Sequence, residues 1–127
     1  MDRLLWICLA GAIGTGSRYL VSVWAARTFG LGFPWGTLIV NIAGCFLMGV
    51  VMHVALHSAS MSPTVRLALT SGFLGGLTTY SSFNYETTKL FQDGMTMGAV
   101  ANFGGTLVGC FVAGLLGLAA ARALVGG

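Results

Sequence analysis

Apolar residues dominate this chain in four long runs, and the polar positions fall between those runs more often than within them. A helix needs about 20 largely apolar residues to cross the hydrocarbon core of a bilayer, and windows of that size select four spans. The first extends from about Leu4 to Ala26 and is interrupted by Arg18. The second follows Pro34, a residue suited to a first helical turn, and runs uncharged from Trp35 to about Leu56. The third begins near Val65, after Ser62-Pro63, and carries no charge from Leu67 to Tyr85; Glu86, Lys89 and Asp93 mark its polar exit. The fourth runs from about Gly94 to Ala121 and ends at Arg122. The short loops leave no room for a soluble domain, so residues 1–127 are expected to form one all-α, four-helix transmembrane domain with both termini on one side.

Composition sharpens this. Hydrophobic residues fill 56% of the 127 positions and charged residues 7%, against about 25% charge in soluble domains, which excludes a water-soluble globule. The six basic residues, Arg3, Arg18, Arg27, Arg66, Lys89 and Arg122, are scattered, so no patch of nucleic-acid-binding density exists. Cys8, Cys45 and Cys110 lie far apart within apolar runs, without metal-ligand spacing, and are expected to be small packing residues. Asp2 and Arg3 precede an apolar stretch without an A-x-A site, which makes a cleaved signal peptide the weaker interpretation.

Four crossings place Arg3, Arg66 and Arg122 on one membrane face and Arg27 and Lys89 on the other, with Arg18 inside or near the first span. That near balance selects no orientation. Chains inserted both ways can pair antiparallel about a two-fold axis in the membrane plane; the alternative is one orientation set by a small bias or a partner protein. Glycine occupies 20 of 127 positions, and Gly72/Gly76 and Gly105/Gly109 are small-xxx-small pairs that let helix backbones approach. Packing within one subunit accounts for most of them, yet four short helices hardly enclose a polar pathway alone.

Polar groups inside a span carry the functional information, because each is costly there. Thr37 and Asn41 share a face of the second span, followed by Gly44 and Gly49; Asn41 serves either as interhelical glue or as a pathway group. The third span reads GFLGGLTTYSSFN from Gly72 to Asn84. Adjacent glycines and β-branched threonines propagate a helix poorly, so a break is expected near Gly75 to Thr79. Carbonyls freed at membrane depth must line a cavity, face protein or bind an ion. Oxygen-only ligation suits an alkali cation better than a transition metal. The alternative is a kinked helix whose hydroxyls bond back to i−4 carbonyls. Tyr80 and Phe83 fall on one helix face, where electropositive ring edges beside Asn41 suit a small anion, although packed core aromatics are the commoner arrangement. Asn102, Thr106 and Cys110 form a thin stripe on the fourth span. His53 and His57, near the end of the second, are expected at the interface. No serine, histidine and carboxylate set points to catalysis.

The third-span string, together with Gly14 to Arg18-Tyr19 and Pro34-Trp35-Gly36-Thr37-Leu38-Ile39-Val40-Asn41, resembles the Fluc or CrcB fluoride channels over the whole chain. The resemblance implies four-helix subunits, the third helix broken, in an antiparallel dual-topology homodimer with two fluoride pores and a central structural Na+. It assigns the carbonyls of Gly75 and Thr78 to sodium and makes Asn41 a pore hydrogen-bond donor. Tyr80 and Phe83 match paired pore phenylalanines, and Ser81 and Ser82 fall in the family's hydroxyl-rich stretch. Arg18 matches a vestibule arginine and Glu86 an acidic position near the end of the third span, while Thr37 and Thr106 join them as further vestibule or gating candidates. Tyr80 departs from the family's usual phenylalanine, keeping the ring edge but adding a hydroxyl, and is expected to alter conduction rather than the fold. Phe103 and Gly104 also depart, standing where a more polar track is expected.

The function implied is passive export of cytoplasmic fluoride across the inner (plasma) membrane, giving fluoride resistance. Hydrogen fluoride enters as a neutral acid and dissociates in the cytoplasm. The inside-negative potential then expels the anion with about 2.3 kcal/mol per charge per 100 mV. The competing class is a small multidrug-resistance-like, proton-coupled exporter, which depends on a glutamate embedded in its first span; here that span holds Arg18 and no carboxylate after Asp2. A third class is a non-transporting subunit of a larger membrane complex, which needs no polar break.

Overall fold

The computed structural model describes residues 1–127 and is entirely helical. Helix α1 spans Asp2–Phe29 and ends at Gly30, whose φ of 85° lies in the left-handed region that glycine enters without strain. Helix α2 spans Trp35–His57, with Pro34 at the N-cap rather than inside the first turn. Ser62 opens α3 by accepting a hydrogen bond from the Val65 amide, and Pro63 stands in the first turn, where its missing amide costs nothing. This helix starts as Pro63–Leu67, widens to a π-helix over Ala68–Leu74 and returns to α geometry over Gly75–Leu77. Thr78 and Thr79 are extended. Helix α4 then runs Tyr80–Gln92, capped by the Thr79 hydroxyl, and α5 runs Thr96–Val125.

Three of these, α1, α2 and α5, are long and apolar enough to cross a membrane. The third expected span consists of α3 and α4 separated by the extended Thr78-Thr79, inside the Gly75–Thr79 stretch where a break is expected; Glu86 and Lys89 lie within α4 and Asp93 at its cap. Of the 100 backbone hydrogen bonds, 89 lie within helices, as a bilayer requires of a chain that has no water for its peptide groups.

Small residues set how the helices meet. A Cβ on Gly14 would run into the Phe73 carbonyl, one on Gly76 into the Gly11 carbonyl, and one on Gly72 would come within 2.7 Å of the Ile7 carbonyl. Low numbers in α1 therefore match low numbers in α3, so the two run parallel, backbone against backbone. Helices α2 and α5 do the same: Ile42 lies at Gly109, Gly49 at Gly114, and Phe46 at Gly117. The Gly75-Gly76 pair is helical, and Gly76 serves close packing on α1 while Gly75 is exposed; the helix ends later, at the threonines. Gly109 packs on Ile42, whereas nothing lies within 4 Å of the Cβ position of Gly105 inside the subunit.

The interior mixes polar and small residues with a few bulky apolar ones. Thr37, Asn41, His53, Thr70, Thr87, Asn102 and Thr106 are buried beside Val40, Leu74, Leu77, Phe83 and Leu90, while Leu4, Trp6, Leu20, Phe111 and Leu116 are exposed. This inversion belongs to a chain whose surroundings are lipid, where outward leucines cost nothing and polar groups must find each other. His53 is buried near the ends of α2 and α5, its Nε2 2.7 Å from the Gly126 carbonyl and its ring stacked on His57.

Substitution separates packing glycines from incidental ones. Gly14→Ala is expected to lower stability by about 1–3 kcal/mol through forced separation of α1 and α3. Gly16→Ala, with nothing within 4 Å of its Cβ position, is expected to be neutral or stabilising by up to about 1 kcal/mol. Thermal unfolding in detergent compares them.

Candidate functional site

The extended Thr78-Thr79 step lies against α2, and Asn41 holds it there. Its Nδ2 donates to the Thr79 carbonyl at 3.0 Å, and its Oδ1 accepts from the Thr79 amide at 2.8 Å. A buried side-chain amide thereby replaces the partners that a continuing helix would supply to that residue. Position 41 is reachable because Gly44, one turn along α2, leaves room for Thr78: a Cβ there would run into the Thr78 Cγ2 methyl.

This clamp changes the carbonyls around the break. In an uninterrupted helix the Thr79 amide would bond to the Gly75 carbonyl and the Ser82 amide to the Thr78 carbonyl. Here the first goes to Asn41 Oδ1 and the second to Thr79 Oγ1 at 3.2 Å. Gly75 and Thr78 both lose their i+4 donors. The Leu74 carbonyl keeps the Thr78 amide and also accepts from Thr78 Oγ1 at 2.9 Å. Arg18 Nε donates to the Gly76 carbonyl at 3.1 Å, so this guanidinium braces the end of α3. It counters the negative end of that helix at the same point.

Beyond the break, α4 places the aromatics. Phe83 is buried, whereas Tyr80 is 75% exposed. Their rings meet edge to face with centroids 5.6 Å apart, and Phe83 also stacks on Phe103 of α5 at 6.1 Å. Ser81 is exposed, its hydroxyl 3.3 Å from Thr79 Oγ1, and Ser82 contributes its amide to the cap.

Two cavities flank these groups. One, of about 320 Å³, is lined by Asn41, Thr78, Thr79, Tyr80, Phe83 and Thr106, among others. The other, of about 350 Å³, lies at the loop end, where Thr37, Glu86, Lys89 and Asp93 meet Trp35 and Pro34. Thr37 and Glu86 therefore share a mouth, and one Glu86 oxygen is buried there without a hydrogen-bond partner. Lys89 and Asp93 form an exposed pair at 2.8 Å. Arg18 lines neither cavity, and Thr106 belongs to the first.

Between the cavities runs a buried polar chain that sequence reasoning only brushed. Thr87 Oγ1 donates to the Phe83 carbonyl at 2.8 Å and accepts from Asn102 Nδ2 at 2.8 Å; Thr106 Oγ1 stands 3.5 Å from Asn102 Oδ1. Asn102 and Thr106 were visible as a stripe, but Thr87, four residues beyond Phe83, lay past the apolar window. Thr79 was also missed as a clamped residue. The available signal was its place at the N-cap, three residues before the amide it satisfies.

Comparison with known proteins adds the family. Residues 5–118 match the family model described as CrcB-like protein, Camphor Resistance (CrcB). A protein of Anaeromyxobacter sp. (strain K) named fluoride-specific ion channel FluC is 49% identical over 126 residues, covering 99% of this chain and 100% of its own. Proteins of the same name from Sorangium cellulosum and Geobacter sulfurreducens are 47% and 45% identical, covering 100% and 98% of this chain and all of their own.

The clamp is testable apart from any transport. Asn41→Leu leaves the buried Thr79 amide and carbonyl without partners and is expected to cost about 1–3 kcal/mol for each, with faster hydrogen exchange at Thr79. Thr106→Val removes only a 3.5 Å contact and is expected to change stability by less than about 1 kcal/mol. Unfolding and exchange measurements in detergent distinguish the two.

Proposed function

The chain belongs to the CrcB-like family, and we propose that it is a fluoride-selective ion channel that lets the anion leave the cytoplasm passively. It acts as a conduit in the membrane, not as an enzyme. The carrying observation is the 320 Å³ cavity, whose wall joins Asn41, Thr106 and the Tyr80 and Phe83 rings without a carboxylate. One Asn41 N–H is engaged by the Thr79 carbonyl; an amide nitrogen has two, and the second is free to donate to an anion. Because the clamp immobilises Asn41, that donor is preorganised and needs no reorganisation when fluoride arrives. Ring edges supply further positive potential, and together these groups replace part of the hydration shell. The buried Thr87–Asn102–Thr106 chain and the mouth at Thr37 and Glu86 continue the polar track along α4 and α5. The relatives named fluoride-specific ion channel support the same reading.

In this proposal α3 and α4 together make the third crossing, broken at Thr78-Thr79, in the inner membrane. A second copy, inserted in the opposite orientation, completes the channel. Exposure of Gly75 and Tyr80 at the break and the near-even distribution of basic residues favour that partner. The Gly75 and Thr78 carbonyls, deprived of their helical donors, fit an alkali cation by donor chemistry: they are neutral oxygens with no thiolate or imidazole among them. One subunit provides too few, so a structural Na+ would be shared between two copies. Its role would be to satisfy those carbonyls and tie the two breaks together. A proton-coupled exporter needs a carboxylate that α1 does not contain past Asp2.

Efflux from liposomes tests this. After valinomycin addition, purified protein should release fluoride rapidly and leave chloride inside. Asn41→Ala should slow release about 10- to 100-fold, the equivalent of one hydrogen bond to a charged group. Tyr80→Phe should change the rate or its concentration dependence while leaving the fold intact. Release of neither ion, or of both at equal rates, would overturn the proposal.

A further inference from the structure

Three sulfur side chains line the cavity that holds Asn41 and Phe83: Cys45, Met48 and Cys110. Residues 45 and 48 are three apart on α2 and share a face. Cys110 comes from α5, next to Gly109, which packs on Ile42, and one turn before Gly114, whose Cβ position is 3.8 Å from the Cys45 carbonyl. The close α2–α5 contact thus brings the two cysteines to the wall of one cavity. Neither is in a disulfide, and both are partly buried. Sequence separation of 65 positions suggested independent packing residues; the fold makes them a facing pair.

The geometry points to a binding site for a soft divalent d10 cation, Hg(II) above all, formed by the Cys45 and Cys110 sulfurs with the Met48 thioether, whose occupation obstructs the cavity. The ligand chemistry argues for that class. Thiolates and thioethers select soft metals, whereas hard cations prefer oxygen donors. Zinc favours four ligands in a tetrahedron, and this wall supplies three sulfurs. Charge narrows the choice further. Each thiol loses its proton to bulk water, two S–Hg bonds form, and the metal keeps its oxidation state. A divalent ion with two thiolates is neutral, while a monovalent one leaves a net negative charge in an apolar setting, where uncompensated charge is costly. The obstruction rests on the fluoride-channel reading; the binding does not.

The test uses reduced full-length protein with Cys8→Ser, leaving the facing pair as the sole thiols, in nitrate buffer without added thiol. Hg(II) is titrated while metal content, ultraviolet sulfur-to-mercury charge-transfer absorption and residual maleimide-reactive thiols are measured. One Hg(II) per chain with loss of both reactive thiols is expected. A second substitution, Cys45→Ser or Cys110→Ser, should abolish the shared absorption, and Met48→Leu should weaken binding about tenfold, the size of a 1.4 kcal/mol contact. Two Hg(II) per chain, or none, would overturn the site. In liposomes, stoichiometric Hg(II) should reduce fluoride efflux at least about tenfold, with recovery on adding dithiothreitol. Bound metal with unchanged efflux would overturn the obstruction. If the chain releases no fluoride before metal is added, the channel reading fails while the titration still decides the site.

Discussion

A peptide group in hydrocarbon has no water to turn to, and the whole arrangement around Thr79 follows from that constraint. The chain leaves helical geometry at Thr78-Thr79, and the buried Asn41 amide takes both polar atoms of the Thr79 backbone. That pair of bonds diverts an amide from Gly75, the Thr79 hydroxyl diverts another from Thr78, and Arg18 takes up the Gly76 carbonyl. Each consequence depends on the clamp being in place. Without it, the cheapest state for these residues is an ordinary helix, with its carbonyls internally satisfied and the cavity beside Asn41 rearranged.

The clamp in turn depends on close helix approach. Two parallel pairs, α1 with α3 and α2 with α5, meet at glycines whose Cβ positions would collide with a neighbouring backbone. Such contacts rely on dispersion and short distances rather than on a hydrophobic drive, which lipid does not provide. The same approach leaves threonine and asparagine inside, beside Val40, Leu74 and Phe83, and most bulky apolar residues outside. Polar side chains then meet in a connected chain through Thr87, Asn102 and Thr106, a track that an apolar core would not offer to an ion.

Legibility followed the physical range of each signal. Hydropathy and length located α1, α2 and α5 to within a few residues, because lipid solvation acts on every side chain in a long run. The stretch from the glycines at 75–76 to the threonines at 78–79 was also visible as a poor helix, but not the step at which the chain leaves helical geometry. Gly76 packs on α1 within the helix, and the threonines become extended because Asn41, 38 positions away, bonds there. Thr87 escaped notice because it lies beyond the apolar window, and its burial comes only from α5.

What the sequence determined by itself was the solvent: 56% hydrophobic residues in long runs oblige the chain to be helical and to live in lipid. It also displayed the polar residues a site could use, Asn41, Thr78, Thr79, Tyr80, Phe83 and Thr106, since any polar group inside such a run is conspicuous. Tertiary structure alone decided which of them meet. It engaged two of Asn41's hydrogen-bonding positions with the Thr79 backbone, left Tyr80 exposed while burying Phe83, and set Cys45 and Cys110 along one cavity. The reason is that helix-to-helix register depends on where two backbones can approach, a property of paired surfaces that no single stretch of chain contains.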